Sequence, residues 1–224
     1  MTRYIFPLLL GLIGAGILVS LGIWQLHRLA WKERLLAEIT AKIAAAPVAL
    51  PAAPDPRRDQ YLAVIASGQV VPQELHVLTS TAETGPGYRI ISPFVLADGQ
   101  RVMVDRGFVP EAQIRVPRPG FATTVVGNLE WPNEADYFTP KPDLKADIWF
   151  ARDVARMAAE LRTAPVLIVV QRAPGEAPGV TAVPAGTSGI RNQHLNYAIT
   201  WFSLAICWLG MTGLLLWRIR QRRV

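Results

Sequence analysis

Two long uncharged apolar runs stand near the ends of the chain, and the stretch between them changes to a shorter, strand-like alternation. Tyr4 to Leu26 and Tyr197 to Trp217 contain no charged side chain. Because about 20 apolar residues in helical form cross a hydrocarbon core of roughly 30 Å, both runs predict membrane-spanning helices, placed at 4–26 and 194–217. The first is longer than the about 7–15 apolar residues of a signal-peptide core, and Ala44-Ala45-Ala46 lies too far downstream to be its cleavage site, so a retained span is expected.

The faces of these helices differ. At about 100° per residue, His194, Tyr197, Trp201 and Trp208 share one side of the second span, and Thr200, Ser203, Cys207 and Gly210 lie roughly a third of a turn away. Gly11, Ala15 and Gly22 share a face of the first. Small residues let helices approach, which predicts packing of the Gly11/Ala15/Gly22 face on the Thr200/Ser203/Cys207/Gly210 face. The tryptophans read as an interfacial belt with packing, or as cover for a flat apolar ligand. His194 stands where the helix leaves the membrane, and a polar residue at that depth should face protein, water or a ligand.

Beyond the first span, Trp24, His27, Arg28, Trp31 and Lys32 are the side chains a helix places at head-group level, and residues 27–58 read as an interfacial helix extension halted by Pro47, then a proline-stiffened linker. Residues 59–190 form a separate domain. Strands are expected at Tyr61–Val71, Glu74–Thr79, Tyr88–Leu96, Arg101–Phe108, Thr123–Trp131, Ile148–Arg152 and Val166–Gln171. Asp98-Gly99 marks a hairpin, and Asp153 is the N-cap of a helix running to Leu161. The fold class is therefore a membrane protein of α+β type: two transmembrane helices flank an external, mainly antiparallel β domain, open or partly closed, with one or two helices.

Charge sharpens this picture. Pro47–Ile190 holds 13 Lys/Arg against 15 Asp/Glu, whereas the remaining segments hold 10 against 2. The positive excess belongs at the membrane boundaries, where it attracts anionic lipid, and the central domain has no basic surplus with which to bind nucleic acid. Arg3 and the basic tail 218–224 place both termini in the cytoplasm, and hence the central domain in a periplasm, outside a bacterial inner membrane. Arg28, Lys32 and Arg34 oppose that orientation, but they border a long loop, whose charges weigh less.

No catalytic constellation emerges, so an enzyme is not expected. Asp105-Arg106-Gly107 reads as a salt bridge followed by a bend, and His76 as an ordinary strand residue. The single cysteine, Cys207, reads as a packing residue, and CxxC, HExxH and Met-rich patterns for a copper or zinc carrier are missing.

Three stretches together resemble the surfeit locus protein 1 family of cytochrome c oxidase assembly factors: Leu21-Gly22-Ile23-Trp24-Gln25-Leu26-His27-Arg28-Leu29-Ala30-Trp31-Lys32; Val104-Asp105-Arg106-Gly107-Phe108-Val109-Pro110 after Asp98-Gly99; and Asn192-Gln193-His194-Leu195-Asn196-Tyr197 on to Phe202. The chain departs from the common pattern at Asp105, Phe108 and Gln193. The resemblance implies an assembly factor for a haem–copper terminal oxidase that binds haem a transiently and assists its insertion into oxidase subunit I, receiving it from haem a synthase. It carries the axial iron ligand onto His194. Tyr197, Trp201 and Trp24 would then cover the macrocycle, and Arg28, with Lys32 or Arg191, would meet the propionates; His27 is a candidate second ligand. The alternatives are a cofactor-free scaffold for an immature oxidase subunit and a membrane-tethered enzyme.

Overall fold

The computed structural model describes residues 2–81, 85–187 and 189–221, and the chain divides into two compact units, 1–38 with 187–224, and 39–186. In chain order the elements are α1 (Thr2–Ile43), β1 (Val48–Ala49), α2 (Pro56–Asp59), β2 (Ala63–Val70), β3 (Leu75–Thr81), β4 (Gly85–Leu96), β5 (Arg101–Pro110), β6 (Phe121–Leu129), β7 (Ile148–Trp149), α3 (Val154–Leu161), β8 (Leu167–Arg172) and α4 (His194–Gln221), with a 3₁₀ turn at Glu111–Gln113.

The first unit is a pair of helices. Gly11, Ala15 and Gly22 are buried on α1 as their spacing predicts, but the opposing surface of α4 is not the expected one. Thr200, Ser203, Cys207 and Gly210 are exposed, and Ala198 and Ala205 are buried in their place. The reason is large-on-small complementarity. The rings of Phe202 and Trp208 lie where a side chain on Gly22 or Gly14 would reach, at 2.6 and 2.5 Å from the added carbon, and Thr212 fills the space over Gly11. Trp208 Nε1 also donates to Gly11 O at 3.1 Å. Since Gly14 faces Trp208 and Gly22 faces Phe202, Leu18 is level with Ala205. In a Cys207→Ser background, cysteines at Leu18 and Ala205 are therefore expected to cross-link on oxidation in the membrane, and cysteines at Ala15 and Ser203 to stay unlinked. The reverse pattern would contradict this packing.

The second unit is a closed barrel. β2 pairs antiparallel with β6, β6 with β8, β5 with β4, and the end of β4 with the end of β2; β8 and β5 run parallel, which completes the circuit. β3 continues beyond β4, while β1 and β7 add in parallel to β2 and β3. The expected strands form, Gly99 makes the β4–β5 turn at φ 85°, and Asp153 accepts from Arg156 N as the N-cap of α3. The linker is less plain than proline content alone suggests, since it contains β1 and α2, the latter capped by Asp55. The first helix runs unbroken to Ile43, whose carbonyl accepts from the buried amide of Asn128 at 3.1 Å. α4 likewise continues into the segment expected as a tail, as far as Gln221.

Side-chain alternation sorts the core into two layers. Val64, Val70, Val102, Val104, Ile168 and Val170 belong to the cluster inside the barrel, whereas Met103 and Leu167 on the opposite face of the same strands join Met157 and Leu161 of α3. β8 is buried on both faces, which explains its unbroken apolar sequence.

Charges are buried too, and here one expectation fails. Asp105 and Arg106 do not pair with each other; each is the centre of a separate network. Asp105, with no exposed side-chain surface, accepts from Arg89 Nε at 2.6 Å and faces Arg152 at 3.7 Å, and Arg152 reaches on to Glu130 and Glu134. Arg106 binds Glu176 at 2.5 Å and faces Glu74 at 3.6 Å; Glu74 is also held by Arg118 and by His76 at 3.0 Å. A bulge separates the two centres: Ile91 opposes Asp105 and Ile90 opposes Gly107, leaving Arg106 without a partner across the ladder.

These networks give the barrel an acid limit. Burial pushes Glu74 upward, but hydrogen bonds from His76 and Arg118 outweigh it and hold the carboxyl below its ordinary 4.5. Glu134 is held low in the same manner by Arg152. A depressed carboxyl binds fewer protons in the folded than in the unfolded chain, so its stabilisation is complete above the unfolded value and is lost as pH falls through the folded one. Asp105, which burial raises above 3.8 against the pull of Arg89 and Arg152, acts in the opposite sense. Denaturant midpoints of the full chain in detergent should be level from about pH 7 to 5.5 and fall below about 4.5, with a shallower fall in Glu74→Gln. A flat profile down to pH 3 would contradict this.

Candidate functional site

The site singled out by the sequence lies in the helix pair, at the end where α4 begins. His194 is the first residue of α4 and is half-buried, because the helical phase turns it toward α1 along the same line as Ala198 and Ala205. Opposite it is Gln25, 9% exposed, whose Oε1 lies 2.8 Å from His194 Nδ1. Gln25 is a site residue that motif and pattern alone do not single out. Its signal was available: a carboxamide within an otherwise apolar run should face protein, by the argument already applied to His194.

The other expected residues are arranged less uniformly. Trp201 is half-buried on the His194 side of α4, and Tyr197 is on the adjoining flank, 52% exposed. In an antiparallel pair, Leu21, Arg28 and Lys32 of α1 fall on that same flank by helical phase. Arg28 is exposed, with its guanidinium 4.5 Å from the Trp31 ring centre, and Arg191 is exposed. Trp24 is 53% exposed and, one turn before Arg28, lies on that same flank of α1, about 100° round from Gln25. His27 is exposed and about 200° round from Gln25, on the far side of α1, turned away from His194. Two residues before His194, Asn192 Oδ1 is buried without a hydrogen-bond partner. An orphaned acceptor of this kind costs about 1–3 kcal/mol unless something supplies a donor.

This donor set suits an imidazole-ligated planar cargo. A neutral histidine offers one nitrogen as donor and one as electron-pair ligand, so engaging Nδ1 with Gln25 leaves Nε2 for a metal. Tyr197 and Trp201 supply apolar ring surface within two turns, and Arg28 and Lys32 supply cations at the rim. Among the described residues no group of three or more His, Cys, Asp or Glu side chains is placed to hold a metal ion.

The SURF1 family model matches residues 12–206. A SURF1-like protein of Monosiga brevicollis is 34% identical over 214 residues, covering 86% of this chain and 80% of that protein. Surfeit locus protein 1 of Xenopus tropicalis is 28% identical over 214 residues, 83% of this chain and 67% of the relative, and that of Homo sapiens 28% identical over 215 residues, 83% and 69%.

Proposed function

The chain belongs to the SURF1 family, and on that premise we propose that it is an assembly factor for a haem–copper terminal oxidase, holding haem a through His194 and presenting it to oxidase subunit I. Haem a is cargo here, received from haem a synthase; it brings the redox iron that the client needs, and the protein is a carrier rather than a catalyst.

The observation that carries this reading is the direction of the His194 side chain, turned into the helix pair and anchored there. Nε2 of His194 would take the axial position on iron. Tyr197 and Trp201 would shield the ring system, and Arg28 with Lys32 would meet its carboxylates. Asn192 Oδ1 would accept from a donor on the cargo or client. A single protein ligand suits a carrier that must let go. Trp24, one turn from Arg28 on the same flank, would add ring surface beside the cargo at the membrane interface.

The outer surfaces of both helices support the membrane setting. Phe6, Ile13, Ile17, Ile206 and Leu214 are exposed along them, and two helices cannot cover so much apolar surface with each other. We place both termini in the cytoplasm and the barrel in the periplasm, inside a bacterial envelope, because the basic tail outweighs the charges bordering the long central segment. A second reading, a scaffold without cargo, treats the Gln25–His194 bond as an interhelix clamp alone.

The two readings separate in one experiment. Protein purified from cells that make haem a should show a haem absorption spectrum, and His194→Ala should lose at least about nine-tenths of it, since even the loss of a residue that only supports a metal ligand weakens binding about 10–100-fold. Equal occupancy in both proteins, or none in the wild type, would overturn the carrier reading.

A further inference from the structure

We infer that Gln25 is a positioning residue which decides the nitrogen that His194 offers, keeping the proton on Nδ1 and Nε2 open toward iron. This rests on the carrier reading for its functional meaning, but the proton placement it asserts is a property of the empty protein as well.

The geometry is specific. Gln25 Oε1 is 2.8 Å from His194 Nδ1, the distance of a good hydrogen bond. A carboxamide oxygen cannot donate, so the proton must come from the ring. With Nδ1 protonated, a neutral imidazole has its lone pair on Nε2. Had the amide nitrogen been presented instead, the proton would move to Nε2 and close it to a metal. Gln25 is buried on the facing helix, whose backbone is held close by Gly22 against Phe202, so its reach to the ring is fixed by helix packing rather than by a mobile loop.

An acceptor on the far nitrogen does more than orient. It draws the Nδ1 proton outward and makes Nε2 a stronger donor, which stabilises ferric over ferrous iron and lowers the midpoint potential. A neutral amide does this less strongly than a carboxylate. That places His194 between an unsupported imidazole, which would bind cargo poorly, and a carboxylate-backed one, which would hold it too well for handover.

The test uses the full chain in detergent with ¹⁵N-labelled histidine, His194 being assigned by difference with His194→Ala. Without haem, the wild type should show the Nδ1–H form at His194, and Gln25→Leu a mixture of the two tautomers. With haem a, Gln25→Leu should bind about 10–100-fold more weakly and at a higher midpoint potential, while Gln25→Glu, which keeps an oxygen at the same reach, should retain affinity with a potential at or below that of the wild type. Retention of the Leu18/Ala205 cross-link shows that each variant still packs. An Nε2–H tautomer in the wild type, or an unchanged potential and tautomer in Gln25→Leu, would reduce Gln25 to an interhelix clamp and overturn the inference. Failure of the wild type to bind haem would sink the carrier reading instead and leave the tautomer measurement to judge Gln25 by itself.

Discussion

Asp105→Ala is expected to lower the stability of the barrel by about 3–5 kcal/mol, the usual cost of stripping one partner from a buried ion group. Asp105 is fully buried and is the acceptor for Arg89 at 2.6 Å and for Gly107 N at 3.2 Å. Removing its carboxylate leaves the guanidinium of Arg89 inside the protein with Val183 O as its remaining acceptor among the described residues, and takes from Arg152 a partner that ties it to β5. The methyl group left behind fills little of the space. Asp105→Asn keeps the shape and one acceptor, and should lose less. Hydrogen exchange of β5 amides in the full chain, followed against denaturant, reads this change separately from the helices. Unaltered protection in Asp105→Ala would show that the network contributes nothing to the barrel.

Gly107→Ala should cost about 2–5 kcal/mol, combining backbone strain with a steric overlap. Gly107 has φ 127°, a conformation that L side chains rarely adopt, and a Cβ there would run into the carbonyl of Thr181. That close approach is functional within the fold. Phe108 and Thr181 exchange backbone hydrogen bonds at 2.7 and 2.9 Å, and Glu176 clamps Arg106, so the segment after β8 is fastened over the bulge. A substitution at Gly107 must push that segment away or twist β5. The expected readout is increased exchange in both β5 and residues 176–183. An effect confined to β5 would contradict the fastening, and no effect at all would contradict the close contact.

Most strands were legible because they report themselves locally. Asp98-Gly99 between two β-rich runs, the alternation of Arg101–Pro110 and the Asp153 cap each carry enough signal to place an element. β1 was not legible, since two residues in a proline-rich stretch become a strand only through pairing with β2. α2 left a fainter trace in Asp55-Pro56, a cap followed by proline at the first helical position, which the abundance of prolines masked. The ion networks lay beyond the sequence for a different reason: Arg106 and Glu176 are 70 positions apart, and adjacency made Asp105-Arg106 look like a pair. In the helix pair the small residues of α4 misled, because Phe202 and Trp208 fit against glycines of α1 more closely than small residues would. His194 was found from its place at the mouth of an apolar helix, and Gln25 escaped because its role exists only across two helices far apart in sequence.

The central claim is a bond between iron and His194, and the most direct measurement of it is the nitrogen hyperfine coupling of the ferric haem-loaded protein by pulsed electron paramagnetic resonance. Selective ¹⁵N-histidine labelling should change the strongly coupled axial nitrogen signal in the wild type. In His194→Ala that signal should vanish and return with added free imidazole. Persistence of a labelled histidine nitrogen on iron in His194→Ala would place the ligand elsewhere and contradict the account.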